Sequence, residues 1–145
     1  MYGWIRDAAG ARIMKQEFDF WQDHSDTFLT MAYQWERRQR LQNPDGFGRK
    51  TGDCGDTVSI YLRVREGTIQ EVRFELDGCL NTNACANCLA SLVEGKELEQ
   101  GWAVTPDDLI SCLETLPEDH YHCAELAVGT FYLALADYHE RATSP

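Results

Sequence analysis

Two runs of strict alternation, meeting at one tight turn, constrain this chain more than anything else in it. Val58, Ile60, Leu62 and Val64 alternate with Thr57, Ser59, Tyr61, Arg63 and Arg65. Beyond Glu66-Gly67, Val72, Phe74 and Leu76 alternate with Glu71, Arg73, Glu75 and Asp77. A period of two puts each apolar set on one face of a pleated strand, so both runs predict half-buried strands. The short Gly-containing connection predicts an antiparallel hairpin. In such a pair, residues equidistant from the turn face each other. Cys54 and Cys79 are about equidistant from it, so both thiols are expected at the open end of the hairpin. Each stands on a glycine-flanked loop, Cys54-Gly55 and Gly78-Cys79, where backbone can approach a bound ion closely. Asp56, two residues after Cys54, can aim a carboxylate at the same spot.

After Gly78-Cys79 the period changes. Ala84, Cys88, Leu89, Leu92 and Val93 form one stripe at helical spacing, with Asn81 or Thr82 as cap and Gly95 as terminator. Thr105-Pro106-Asp107-Asp108 starts another helix with a capping hydroxyl, Pro in the first turn and acids at the positive end of the dipole. That helix runs to about Leu116. A last one begins near Cys123 and continues through Leu126, Phe131, Leu135 and Tyr138. Ahead of the hairpin, Phe18, Trp21, Phe28, Leu29, Met31, Ala32 and Trp35 suggest one long helix or two shorter ones over Ala8 to Leu41. Asn43-Pro44-Asp45-Gly46-Phe47-Gly48 reads as a breaker segment leading into the Cys54 loop. The expected class is α+β, a small hairpin-centred antiparallel sheet with helices packed on it. An N-terminal helical extension, 1–42, precedes the main domain, 43–145.

Composition narrows the function. The chain has 145 residues, a net charge of −11 and six cysteines. That charge argues against a nucleic-acid partner, whose phosphates demand neutralising cations. No signal-peptide pattern and no membrane-length apolar run is visible. A cytoplasmic location is therefore expected, and there metal or sulfur chemistry explains the cysteines better than disulfides do.

Cys123 follows His122 and opens the last helix, where free N–H groups favour a thiolate. If that helix packs on the hairpin, Cys123 and His122 join the loop thiols. Three thiolates with a nitrogen or oxygen donor suit zinc or an iron–sulfur cluster. Cys85, Cys88 and Cys112 are expected to be packing residues. His24 and His139 are expected on the surface, and His120 is either a solvated loop residue or an additional ligand.

Cys-Gly-Asp at 54–56, Gly-Cys at 78–79 and His-Cys-Ala at 122–124, in this order around a hairpin, resemble the iron–sulfur scaffold family of IscU and the N-terminal domain of NifU. Asn-Pro at 43–44, Gly-Lys-Glu-Leu at 95–98 and Ala-Asp-Tyr at 136–138 extend the likeness. The resemblance implies a scaffold, not an enzyme in the strict sense. Such a scaffold assembles a transient [2Fe–2S] cluster with sulfur from a cysteine desulfurase and passes it to apo iron–sulfur acceptor proteins. It implies Cys54, Cys79 and Cys123 as cluster cysteines, Asp56 as a labile carboxylate and His122 as a variable ligand. It also implies Cys123 as the persulfide acceptor. Zn2+ is the alternative occupant of the same residues, in a persulfide-accepting sulfurtransferase partner or a zinc-stabilised interaction domain. Departures are visible. Glu118-Asp119-His120 replaces most of the Leu-Pro-Pro-Val-Lys segment read by the family's Hsp70-type chaperone, and Leu80 follows the second cysteine where Gly is usual. A monomer or small homo-oligomer is expected.

Overall fold

The computed structural model describes residues 3–6, 12–15 and 24–143. Its centre is a three-stranded antiparallel sheet in the order β3-β4-β5: β3 (Gly46–Thr51), β4 (Thr57–Arg65) and β5 (Thr68–Asp77). The β4–β5 hairpin forms as the alternation predicts. Arg65 pairs with Thr68 across Glu66 and Gly67, whose φ angles of 52° and 76° are those of a type I′ turn. At the far end Thr57 pairs with Asp77, so Cys54 and Cys79 leave the sheet at the same edge. β4 is more covered than a half-buried strand. Ser59 and Tyr61 are also buried, Tyr61 lying beside the Phe47 ring and donating its hydroxyl to Glu75 Oε1 at 2.6 Å.

The breaker segment is corrected. Gly46–Thr51 is an edge strand, paired in full register with β4 from Gly46↔Leu62 to Thr51↔Thr57. Its glycines serve packing, not a turn. A Cβ on Gly48 would stand 2.5 Å from Thr130 O and 2.6 Å from Ala134 N, and one on Gly46 2.5 Å from Ala134 O. The last helix therefore lies backbone to backbone against this strand, and Asp137 Oδ2 accepts the Phe47 N–H at 2.8 Å.

The helices are α1 (Asp26–Ala32), α2 (Leu80–Val93), α3 (Leu98–Trp102), α4 (Pro106–Leu113) and α5 (Tyr121–Thr143), with a 3₁₀ turn at Glu118–His120 before α5. α4 starts as its sequence predicts, with Thr105 and Asp108 forming a reciprocal capping box. One core unites sheet and helices: Ile60, Leu62, Phe74, Leu89, Leu109, Phe131 and Leu135 are all at most 1% exposed.

The helical reading of the extension holds only in part. Helix forms at Asp26–Ala32, capped by Ser25. Arg12–Lys15 is instead a strand, β2, paired antiparallel with β1 (Gly3–Arg6), Ile5 opposite Ile13. Paired backbone there overrides the helical spacing of the flanking apolar residues. Phe18 and Trp21 lie outside the described residues. α1 joins the main core: Phe28 and Ala32 are fully buried, and the buried side-chain amides of Asn83 and Asn87 on α2 donate to the carbonyls of Met31, Ala32 and Gln34. Glu94 fixes the next stretch, accepting from Arg37 Nη2 at 2.7 Å and from Val72 N at 2.9 Å. His24, expected on the surface, is 7% exposed, stacked on Phe28 with Nδ1 3.1 Å from Thr115 O. Among the described residues no helix is long and apolar enough to cross a membrane.

Candidate metal centre

Three elements deliver donors to one place. Cys79 is the N-cap residue of α2, exposed at the end of β5. Cys123 lies in the first turn of α5 and is fully buried. His120 comes from the 3₁₀ turn that leads into α5, its backbone N–H bonded to Pro117 O. Donor atoms of Cys79, His120 and Cys123 all fall within 4.8 Å of one another, and Cys123 Sγ is 3.8 Å from His120 Nδ1. Ligands at about 2.0–2.3 Å around a tetrahedral ion stand roughly 3.3–3.8 Å apart, so this set fits a thiophilic metal without large movement. The 3₁₀ turn thus presents His120, which the sequence offers only as an additional ligand. His122 Nε2 is 3.6 Å from Cys123 Sγ, but its ring is exposed and outside that three-residue group.

The thiol chemistry differs from the expectation. Cys79 is held down to a pKa of about 4, mainly by the hydrogen bond it receives from Cys123, with the amides of Thr82 and Asn81 at the start of α2 assisting. Cys123 is pushed up for the complementary reason: it donates to Cys79, and it is buried. The thiolate of the pair therefore resides on the exposed partner, and not on the cysteine that opens α5. Burial also raises Cys85 and Cys88, as suits packing residues. Cys112 is half-buried and lines an open groove of about 560 Å3 with Leu92, Val104 and Asp108.

Cys54 and Asp56 stand beside the group. Cys54 is exposed on the β3–β4 loop, which is closed by Gly52 N–H to Asp56 O at 2.9 Å and turned by Gly55 at φ 91°. It lines a cleft of about 420 Å3 together with Lys50, His122, Glu125 and Leu126. Asp56 points the other way, toward α2. A Cβ on Gly78 would meet its Oδ2 at 2.7 Å, so glycine there is what admits the carboxylate. Its Oδ2 accepts from the Thr82 hydroxyl at 2.7 Å. Thr82 is fully buried, and its oxygen is also 3.4 Å from Cys123 Sγ and 3.6 Å from Cys79 Sγ. Sequence reasoning treats Thr82 only as a possible helix cap. Its place three residues after Cys79 on a helix was the available signal.

A family model described as NifU-like N terminal domain matches residues 42–145. The chain is 29% identical over 100 residues to an iron–sulfur cluster assembly scaffold protein IscU of Archaeoglobus fulgidus, an alignment covering 68% of this chain and 65% of that protein. It is 35% identical over 86 residues to IscU of Escherichia coli, covering 59% of this chain and 66% of the relative. The matched region thus spans about two thirds of the length of these curated relatives. Among solved structures, a NifU-like N-terminal protein from Brucella abortus superposes with a TM-score of 0.69 at 18% identity, covering 85% of this chain and 99% of that one. A SUF-system scaffold protein from Fervidobacterium islandicum gives 0.63, also at 18% identity, over 81% of this chain and 99% of that one. These structural likenesses concern the fold.

Proposed function

Since the chain belongs to the family of NifU-like N-terminal domains, we propose that it is a scaffold on which an iron–sulfur cluster is assembled and from which it is passed to acceptor proteins. The observation that carries this reading is the meeting of Cys79, His120 and Cys123, with Cys54 and Asp56 on the adjoining β3–β4 loop, at one end of the sheet. The cluster is cargo. Two exposed cysteines and a carboxylate held by a single hydroxyl suit a site that must release what it binds, whereas four buried thiolates suit permanent retention. A [2Fe–2S] cluster is the nuclearity this small donor set serves, and a cysteine desulfurase is the sulfur source. Cys123 is the persulfide acceptor by resemblance, but it has no exposed surface. Sulfur arriving on a donor's persulfide therefore meets Cys79 or Cys54 first: the thiolate attacks the outer sulfur and displaces the donor cysteine's thiolate.

The test is anaerobic incubation of the metal-free protein with ferrous iron, cysteine and a cysteine desulfurase, followed by visible absorption and by iron, zinc and acid-labile sulfide analysis. Charge-transfer absorption with equal iron and sulfide, lost in Cys79→Ser and in Cys123→Ser, is the expected result. A colourless protein that keeps stoichiometric zinc and gains no sulfide overturns it. The zinc-bound sulfur acceptor would then be the better reading.

A further inference from the structure

The Thr82 hydroxyl has one proton and three acceptors around it. Asp56 Oδ2 is nearest, at 2.7 Å, and takes the hydrogen bond; Cys123 Sγ at 3.4 Å and Cys79 Sγ at 3.6 Å are the next acceptors. Thr82 is 0% exposed, so water does not compete for that proton. The oxygens of Asp56 are not among the donor atoms that converge within 4.8 Å of one another; the carboxylate stops at Thr82, next to the group and outside it. Gly78 supplies the other half of this berth, since its bare Cα is what leaves room for the carboxylate.

We propose that Thr82 is a positioning residue that latches the Asp56 carboxylate outside the ligand group, and that Asp56 coordinates a metal only by giving up this hydrogen bond. Once it lets go, rotation about the Cβ–Oγ1 bond turns the same O–H toward Cys123 Sγ, so the proton stays on Thr82 and no covalent bond changes. When the carboxylate returns, the hydroxyl recaptures it and one ligand leaves the metal. A charge-assisted hydrogen bond within reach of a buried donor is strong enough to compete with one carboxylate–metal contact. The inference deepens the scaffold reading, because a recapturable ligand eases release of the cargo, and it rests on that reading for its purpose though not for its geometry.

The probe is cobalt(II) alone, titrated into the metal-free full chain under anaerobic conditions. It needs neither iron, sulfide nor desulfurase, so the latch can fail while cluster assembly stands, and the reverse. Wild type, Thr82→Val, Thr82→Ala and Thr82→Ser are compared, each also in an Asp56→Ala background. Removing the hydroxyl frees Asp56, so Thr82→Val and Thr82→Ala are expected to bind cobalt about tenfold more tightly, the factor given by about 1.4 kcal/mol. Their ligand-field bands should shift with the added oxygen ligand, while Thr82→Ser stays like wild type. In the Asp56→Ala background both the gain and the band shift should vanish. Equal or weaker binding in the variants without the hydroxyl, or a gain that persists without Asp56, overturns the latch. Having two such variants of different volume keeps the test decisive if one of them misfolds.

Discussion

The sulfur of Cys79 lies within 4.8 Å of the sulfur of Cys123, although one stands exposed at the cap of α2 and the other is sealed in the first turn of α5. Two thiols this close but unequal in exposure divide their labour. The outer one holds the negative charge and meets the solvent. The inner one keeps its proton and donates it outward.

That division predicts an order of alkylation. In the metal-free protein, iodoacetamide should modify Cys54 and Cys79 before Cys85, Cys88 and Cys123, which are 0% exposed. Cys79 is a thiolate above a pKa of about 4, so its rate should stay nearly constant from pH 8 down to roughly pH 5 and fall only below that. An ordinary thiol loses reactivity tenfold per unit as the pH drops below about 8.5. Peptide mapping by mass spectrometry after timed quenching measures both order and profile. A Cys79 rate that falls tenfold between pH 8 and pH 7 contradicts the assignment.

The close approach of β3 and α5 predicts that Gly48→Ala is disruptive. The new methyl would collide with backbone atoms of Thr130 and Ala134 on α5, and backbone cannot swing aside as a side chain does. The cost should be about 3 kcal/mol, at the upper end for overpacking, read as a lower urea midpoint with an unchanged slope. Gly67→Ala, at φ 76° with open space around it, should cost only about 1 kcal/mol, through backbone strain.

Glu94 joins two segments through one carboxylate: Arg37 before the sheet, and Val72 and Arg73 on β5. Both oxygens are engaged, and the side chain is 21% exposed. Glu94→Ala should destabilise by about 2 kcal/mol, discounted for partial solvent screening. Arg37→Ala should cost less, and the double variant should fall short of the sum, since the two changes remove one shared contact. Additive losses in urea unfolding would show that Glu94 works through β5 alone.

Asn87 donates to Met31 O and Gln34 O, each at 2.8 Å. Asn87→Leu removes both bonds and leaves Asn83 as the remaining amide donor to those two carbonyls, at 3.4 and 3.1 Å, so the cost should be about 1 kcal/mol. Limited proteolysis should then cut near residues 33–42 faster, while cobalt binding at the thiol site stays close to wild type. Unchanged cleavage would mean that Asn83 alone anchors this stretch.

The hairpin and α4 were legible in the sequence because their signals are local. Alternation around Glu66-Gly67 and the capping pair Thr105 with Asp108 need no knowledge of the rest of the chain. β3 was not legible, because Gly46 and Gly48 are there to admit a helix some 80 residues downstream, and locally they resemble a breaker. The same limit explains the first forty residues, where strand pairing between Gly3–Arg6 and Arg12–Lys15 contends with helical spacing. At the site, Cys79, Cys123 and Asp56 could be singled out by their glycine loops and helix ends. Which cysteine carries the charge depended on burial and on a mutual hydrogen bond. Thr82 could not be singled out, since its role exists only where α2, α5 and the Asp56 loop meet.

Helix α2 makes both of its key attachments at its cap and in its first two turns. Its cap is the Cys79 thiol, and one and two turns further along Asn83 and Asn87 grip the chain at residues 31–34. Close packing gives the segment before the sheet and the sulfur of Cys79 one shared support. Residues 31–34, some 45 positions before Cys79 in the chain, are thereby two helical turns from its sulfur.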